Sequence, residues 1–399
     1  MRIGLGVVGL GTAGAAMLGA AFGHSAVTVT AIADVDIAWL GPHPGGRGGE
    51  PRRYDSLDGL LRDDDVEAVH IATPTPLHFQ HVLKVLNAGR HVIVEKPVTA
   101  SLGEAQELAA RAAAFNRVAI VGHSEAFEPY VQAVRSVIDA GMIGAPVMVL
   151  AEKFTDWMRR PRLPEEWDGA AGGGLIRRQG VHQIDVVRTL TRASYSVREA
   201  KLRIDTGRGV PGSYFAWLTS DRGPAACITH DGVGRLSSAA EGASAAGRPP
   251  ATDGADLADE AAKRSRRQAL LRRVLDTRSP PRLGAADRER LLVFGTDGDI
   301  AASARQVTVS TGAGPATIDL SAFAAGRHAV LDELVAGISG EREVVHDLSW
   351  GCQSLRTCTD IERAALAAHS VLSGSRSALI HSRLRLATSF SKGMVSPTA

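Results

Sequence analysis

Up to about Gly122 the apolar positions fall in short unbroken runs: Ile3 to Val8, Val27 to Ala33, Val66 to Ala72, His91 to Glu95 and Val118 to Gly122. Runs of that length, apolar on both faces and alternating with helix-compatible segments, predict a doubly wound parallel sheet covered on both sides. From about Glu128 the rhythm changes. A helix over Pro129 to Ala140 leads into strand-like runs at Val147 to Lys153, Ala200 to Ile204, Ser213 to Leu218, Ala225 to His230, Leu291 to Phe294 and Val307 to Ser310. Few helices separate them, which predicts a large, mostly antiparallel open sheet with helices on one face. Helices over Phe323 to Ile338 and Leu348 to Leu372 complete the pattern. The expected class is α/β, with residues 1–124 as the parallel domain, 125–375 as an α+β domain and 376–399 as a tail.

The first run ends in Gly9-Leu-Gly11-Thr12-Ala13-Gly14 and a small-residue helix. Gly9 lets the chain turn sharply out of the strand, Gly11 lets backbone approach a pyrophosphate, and Gly14 lets the helix pack close to the sheet. The phosphates then meet the helix N-terminus, where free N–H groups favour negative charge. In a chain with 43 glycines such a hexapeptide carries little weight alone. Its weight comes from Asp34, which closes the second strand about 20 residues on, where a carboxylate holds ribose hydroxyls. The same carboxylate would repel a 2′-phosphate, so NAD is expected over NADP. The long stretch without full charge after Arg2 resembles an exported leader, but seven of residues 4–23 are glycine and a second strand follows, so a cytoplasmic protein is expected.

The near-even charge, net +2, gives no reason to expect nucleic acid or a membrane as partner. Cys227, Cys352 and Cys358 show no metal-ligand spacing, so no metal is expected, and they suit a reducing compartment. Residues 39–53 read as a loop. Residues 237–286 are rich in Ala, Ser, Gly and Arg and read as a low-complexity, partly helical insertion whose basic helix is a solvated face.

Three strand exits converge on one cleft in this topology: the glycine turn, Thr73-Pro74 to His78, and Glu95-Lys96-Pro97. A lysine there, partly desolvated and near a cationic nicotinamide, has its pKa lowered toward the working range and can exchange a proton with a substrate hydroxyl. A second constellation begins at Gly172-Gly-Gly and opens a helix carrying Arg178, Gln179, His182 and Asp185. Arg178 and His182 are four apart and share a face, and Asp185 lies one turn further, able to orient an imidazole.

Taken together, Gly9-x-Gly11-x-x-Gly14, Thr73-Pro74-x-x-x-His78, Glu95-Lys96-Pro97 and Gly172-Gly-Gly with His182-x-x-Asp185 resemble the Gfo/Idh/MocA family of NAD(P)-dependent oxidoreductases. The resemblance implies an N-terminal Rossmann domain, a C-terminal sheet used for homo-oligomerisation, and Lys96 and His182 at the reacting carbon. Where that family usually has an aspartate four residues before the histidine, this chain has Arg178, a group suited to a carboxylate. The segment from Trp157 through Arg159 and Arg160 to Asp168, continuing into Arg178, is similar to the phthalate 4,5-dihydrodiol dehydrogenase branch, which also carries a helical insertion near 237–286. Glu125 stands where many relatives have arginine.

The expected activity is hydride transfer between NAD and a cyclic, carboxylated secondary alcohol such as a cis-dihydrodiol of an aromatic acid. Lys96 and His182 handle the proton, and Arg178, with Arg159 or Arg160, fixes the carboxylate. A sugar, sugar-acid or cyclitol dehydrogenase, or a tailoring reductase, is the alternative enzyme. A cofactor-bound sensor or scaffold is the alternative outside catalysis, and retention of both Lys96 and His182 speaks against it.

Overall fold

The computed structural model describes residues 2–39, 49–112, 114–160, 164–205, 207–221, 223–233, 288–324 and 326–372. The insertion expected at 237–286, the tail at 376–399 and most of the loop expected at 39–53 lie outside the described residues.

The first layer runs β1 (Ile3–Val8), α1 (Thr12–Gly23), β2 (Val27–Ala33), β3 (Arg52–Tyr54), α2 (Leu57–Leu60), β4 (Ala68–Ile71), α3 (His78–Asn87), β5 (His91–Val94), α4 (Leu102–Ala112) and β6 (Ala119–Val121). The strands order as β3-β2-β1-β4-β5-β6, every pairing parallel. β1 and β4 are buried along their whole lengths, which is why their sequences run apolar rather than alternate. Strand order reverses between them, so the loops leaving their C-terminal ends part and open a crevice.

The second layer runs α5 (Pro129–Asp139), β7 (Pro146–Phe154), α6 (Pro164–Trp167), a π-helical turn (Ile176–Gly180), α7 (Val181–Thr191), β8 (Ser196–Asp205), β9 (Val210–Thr219), β10 (Ala225–Asp231), β11 (Arg288–Gly295), β12 (Gly298–Ser303), β13 (Gln306–Thr311) and β14 (Gly314–Ile318). Its order is β14-β13-β12-β11-β7-β10-β9-β8, antiparallel except where β7 meets β10. Burial alternates along β7, β9 and β10, as expected for a sheet packed on one face. Val131 and Val134 of α5 and Ile184 and Val187 of α7 cover that face over Val149, Ala216, Ile228 and Val293.

β3, β12 and β14 lie outside the strand runs expected from hydrophobicity. They are short, and β12 and β14 are rich in small residues, so pairing with a neighbour rather than apolar pattern defines them.

Two late helices, α8 (Gly326–Ser339) and α9 (Leu348–Leu372), return to the first sheet. Val330, Leu331 and Leu334 of α8 pack with Leu5, Val7 and Val29. Along α9, Leu348, Cys352 and Leu355 enter the first layer's core beside Val94 and Val121, whereas Cys358, Ile361 and Ala365 enter the second. One helix thus braces both layers, and the cleft lies between them. Among the described residues no helix is long and apolar enough to cross a membrane.

Candidate active site

The glycine turn leaves β1 with Gly9 at φ +87°, and a Cβ there would sit 2.6 Å from the Ala72 carbonyl oxygen. A Cβ on Gly14 would collide with the Gly9 carbonyl, so both glycines are required by the protein's own packing. Gly11 differs. A Cβ at Gly11 meets nothing within 4 Å, so open space lies above the first turn of α1. The amides of Thr12, Ala13 and Gly14 belong to that turn, where helix geometry leaves N–H groups without intrahelical acceptors. Asp34, only 5% exposed at the end of β2, accepts from the Leu10 amide at 2.7 Å and the Asp36 amide at 3.1 Å. Its carboxylate is therefore fixed against the glycine turn. Open cradle, donor-rich helix end and fixed acid together fit the pyrophosphate and ribose of a dinucleotide.

The second strand exit is locked by His78. Its ring bridges the Thr73 and Pro97 carbonyl oxygens, each at 2.9 Å, and burial pushes its pKa down to about 4. Thr73 Oγ1 meets His81 Nδ1 at 3.1 Å, while Pro74 is exposed. Glu95 turns inward, 3.2 Å from Arg327 of α8 and 3.4 Å from His70. Burial works against its charge, but Arg327 and His70 hold the carboxyl far below its ordinary value. His78 and Glu95, expected beside the cofactor, thus sit behind the crevice and fix its walls.

Between them Lys96 projects toward the second layer, and the peptide joining it to Pro97 is cis. Its Nζ donates to the Arg178 carbonyl oxygen at 2.8 Å, within the π-helical turn. Burial, reinforced by the Arg178 guanidinium, pushes the amine down to about 8, against the pull of Glu95 and Glu125. His182 follows in the first turn of α7, 6% exposed. Burial and then Lys96 hold its pKa well below the ordinary value, so the imidazole is neutral. The amine from one layer and the imidazole from the other therefore share one electrostatic environment.

Behind them lies a buried ion cluster that motif reading did not assemble. Lys153 of β7, 4% exposed, donates to both oxygens of Glu125 at 2.7 Å and lies 2.5 Å from Glu289 of β11. Tyr130 of α5 donates to the other Glu289 oxygen at 3.0 Å. Glu125 Oε1 also stands 3.6 Å from His182 Nε2. Burial pushes the Glu125 carboxyl up to about 7, with Lys153 resisting. Lys153 itself stays charged: burial opposes this, but Glu125 and Glu289 outweigh it. One signal was available. Strand alternation puts Lys153 on the same face as the core residues Val149 and Ala151, an inward lysine that needs partners.

The expected substrate residues separate into two groups. Arg178 remains at the cleft, 23% exposed, with Nη1 donating to Thr75 Oγ1 at 3.2 Å and Nη2 standing 3.4 Å from Glu166. Gln179 is half-buried in the same turn. The others face elsewhere. Trp157 is 2% exposed, and its ring packs edge-on against Trp167 at 4.9 Å in the second core. Arg159 donates to the Val233 carbonyl at 3.0 Å, and Arg160 pairs with Asp156. Asp185 is fully buried and accepts from the Trp350 indole at 2.5 Å, with His123 3.6 Å away. Its imidazole neighbour is thus His123 rather than His182, with Trp350 of α9 holding its other oxygen. Among the described residues no group of three His, Cys, Asp or Glu side chains is arranged to hold a metal ion.

Residues 3–123 match an oxidoreductase family with an NAD-binding Rossmann fold, and residues 131–231 match the GFO/IDH/MocA C-terminal domain. The chain is 34% identical over 186 residues to a 1-carboxy-3-chloro-3,4-dihydroxycyclohexa-1,5-diene dehydrogenase of Comamonas testosteroni, covering 46% of this chain and 47% of that protein. It is 34% identical over 158 residues to a dTDP-3,4-didehydro-2,6-dideoxy-alpha-D-glucose 3-reductase of Streptomyces violaceoruber, covering 39% and 45%. The matched stretch thus spans about half the length of either relative. A solved structure from Bordetella bronchiseptica RB50, provisionally named a dehydrogenase, superposes with a TM-score of 0.74 at 25% identity, covering 92% of this chain and 99% of that one. With the glycine turn, the Glu95-Lys96-Pro97 exit and the two-layer architecture already in view, the chain belongs to the Gfo/Idh/MocA family of NAD-binding oxidoreductases.

Proposed function

We propose that the protein is an NAD-dependent dehydrogenase of a cyclic, carboxylated secondary alcohol, with a cis-dihydrodiol of an aromatic acid as the preferred substrate class. The observation that carries this reading is the Lys96 amine, 2.8 Å from the Arg178 carbonyl oxygen in the turn that leads into His182, with the Arg178 guanidinium in part open to the cleft. NAD, when bound, supplies the hydride acceptor. Lys96, neutral above about pH 8, takes the hydroxyl proton, and the neutral imidazole of His182 orients the hydroxyl. Arg178 pairs with the substrate carboxylate in exchange for its long contact to Glu166. From a dihydrodiol, the ketone product tautomerises to a catechol, and aromatisation draws the reaction forward. The carboxylated cyclohexadiene diol in the name of the Comamonas relative supports this class.

NAD is preferred over NADP because Asp34 presents a fixed carboxylate beside the glycine turn, where a 2′-phosphate would be repelled. The open face of the second sheet carries Leu150, Phe215, Trp217 and Leu292, all only half-buried, which supports pairing of copies through that face. The three free cysteines suit a cytoplasmic setting.

A sugar or cyclitol substrate is the second reading. Glu166 already lies near Arg178 and lessens its demand for an anion, and the Streptomyces relative is named for a sugar substrate. NADH formation with dihydrodiols, sugar acids and cyclitols, repeated on Arg178→Ala, separates the two. Selective loss on carboxylated substrates supports the anion clamp, and equal rates on both kinds remove it.

A further inference from the structure

Within the proposed reaction, on which this inference rests, we infer that Glu125 is a positioning residue. Its carboxylate faces Nε2 of His182 and keeps the ring proton there, leaving Nδ1 as the ring's lone pair. A neutral imidazole has one donor and one acceptor nitrogen, and the partner of one decides the role of the other. Around His182 the described residues offer a single carboxylate, Glu125 Oε1, 3.6 Å from Nε2. Nδ1 is buried and has no hydrogen-bond partner among the described residues. The distance to Nε2 exceeds a hydrogen bond, and contacts of this kind tighten when a substrate closes the site. His78 makes the contrast: both its nitrogens are occupied by backbone carbonyls, so that ring is architectural.

The cluster behind Glu125 explains why the carboxylate stays where it is. Lys96 also attracts a carboxylate in this cleft, and an ion pair with it would hold the amine as an ammonium unable to accept a proton. Lys153 prevents this by gripping both Glu125 oxygens at 2.7 Å. Lys153 is gripped in turn by Glu289, its cross-strand neighbour, and Tyr130 holds the second Glu289 oxygen. Glu128, just before α5, lies close enough to Glu289 to feel its charge, and His230 of β10, beside Lys153 in register, is closed off by Gln183 and Thr155. Three elements, β7, β11 and α5, thus fix one acid against one imidazole.

The test is NMR of the full-length protein with labelled histidine, the His182 signal being assigned by its absence in His182→Gln. A neutral ring protonated on Nε2 is expected in the wild type, and protonation on Nδ1 would overturn the inference without any variant. Glu125→Met leaves Lys153 paired with Glu289, a neutral pair that the fold can keep. In that variant the tautomers should mix and kcat should fall at least about 10-fold, with KM changed less than about threefold. An unchanged tautomer and kcat in folded Glu125→Met would refute the role. Failure of the wild type to oxidise any alcohol on the panel would instead remove the proposed function, while the tautomer reading still decides Glu125.

Discussion

Two buried polar clusters flank α7, one turn apart, and they are built to opposite ends. Around His182, the Glu125–Lys153–Glu289 cluster stops at the cleft, where Lys96 is half-buried and Arg178 in part open. Around Asp185 the cluster lies wholly in the interior. Arg188 stacks 3.8 Å over the Trp350 ring and donates to the Trp350 carbonyl, Ser354 and Gln353, while Trp350 donates to Asp185. Both clusters carry charge out of water, at a cost in desolvation. The difference is access: Lys96 is half-buried and Arg178 is in part open at the first, whereas Asp185, Arg188 and His123 of the second are at most 2% exposed and hold α7 to α9. Burial of charge therefore does not mark chemistry here; a polar group left partly open at a cleft does.

The largest effect that could break this comparison lies at the open cluster. Lys96→Ala is expected to lower kcat by about 10²- to 10⁴-fold with the fold intact, measured as NADH formation alongside circular dichroism. Near-normal turnover would deny the open cluster its chemistry. The closed cluster should respond the other way: Arg188→Ala should cost about 2–4 kcal/mol in chemical denaturation, since three hydrogen bonds and a stacked guanidinium are lost together. If it lowered kcat at unchanged stability, the division between the clusters would be misplaced.

The pH profile sharpens the same contrast. Lys96 has its amine pushed down to about 8, and the neutral form accepts the proton, so alcohol oxidation should rise about tenfold per unit up to pH ~8 and then level off. Carbonyl reduction, which needs the ammonium, should fall above that pH. A profile flat from pH 6 to about 9 in both directions would exclude Lys96 as the titrating group. The smallest effect belongs to the glycine turn. Gly11→Ala meets no protein atom, so its melting temperature should match the wild type, while NAD affinity measured by calorimetry should weaken about tenfold, some 1.4 kcal/mol. Gly14→Ala should destabilise the protein itself, because its Cβ collides with the Gly9 carbonyl.

These residues also show how far the sequence could be read. The parallel layer, the glycine turn, Asp34 and Lys96 were legible because each is local: a strand, a tight turn and a helix start are specified within a few residues by sterics and apolar pattern. The antiparallel layer was legible as a class, but β3, β12 and β14 were not, since short strands of small or polar residues exist by virtue of the neighbour they pair with. Asp185 and Trp157 show the reverse failure. Their spacing on the chain suited a ligand site, yet α9 and Trp167 took them into the interior.

What the chain determines by itself is therefore the two-layer plan, the dinucleotide cradle and the presence of an amine and an imidazole at the cleft, all set by short-range sterics and hydrophobic periodicity. Which acid stands beside that imidazole, which arginine stays open and which helix joins the layers were decided only in three dimensions. Glu125, Lys153 and Glu289 are brought together from across more than 160 residues, and no local rule couples them. Charge removed from water must find its counter-charge wherever packing supplies one.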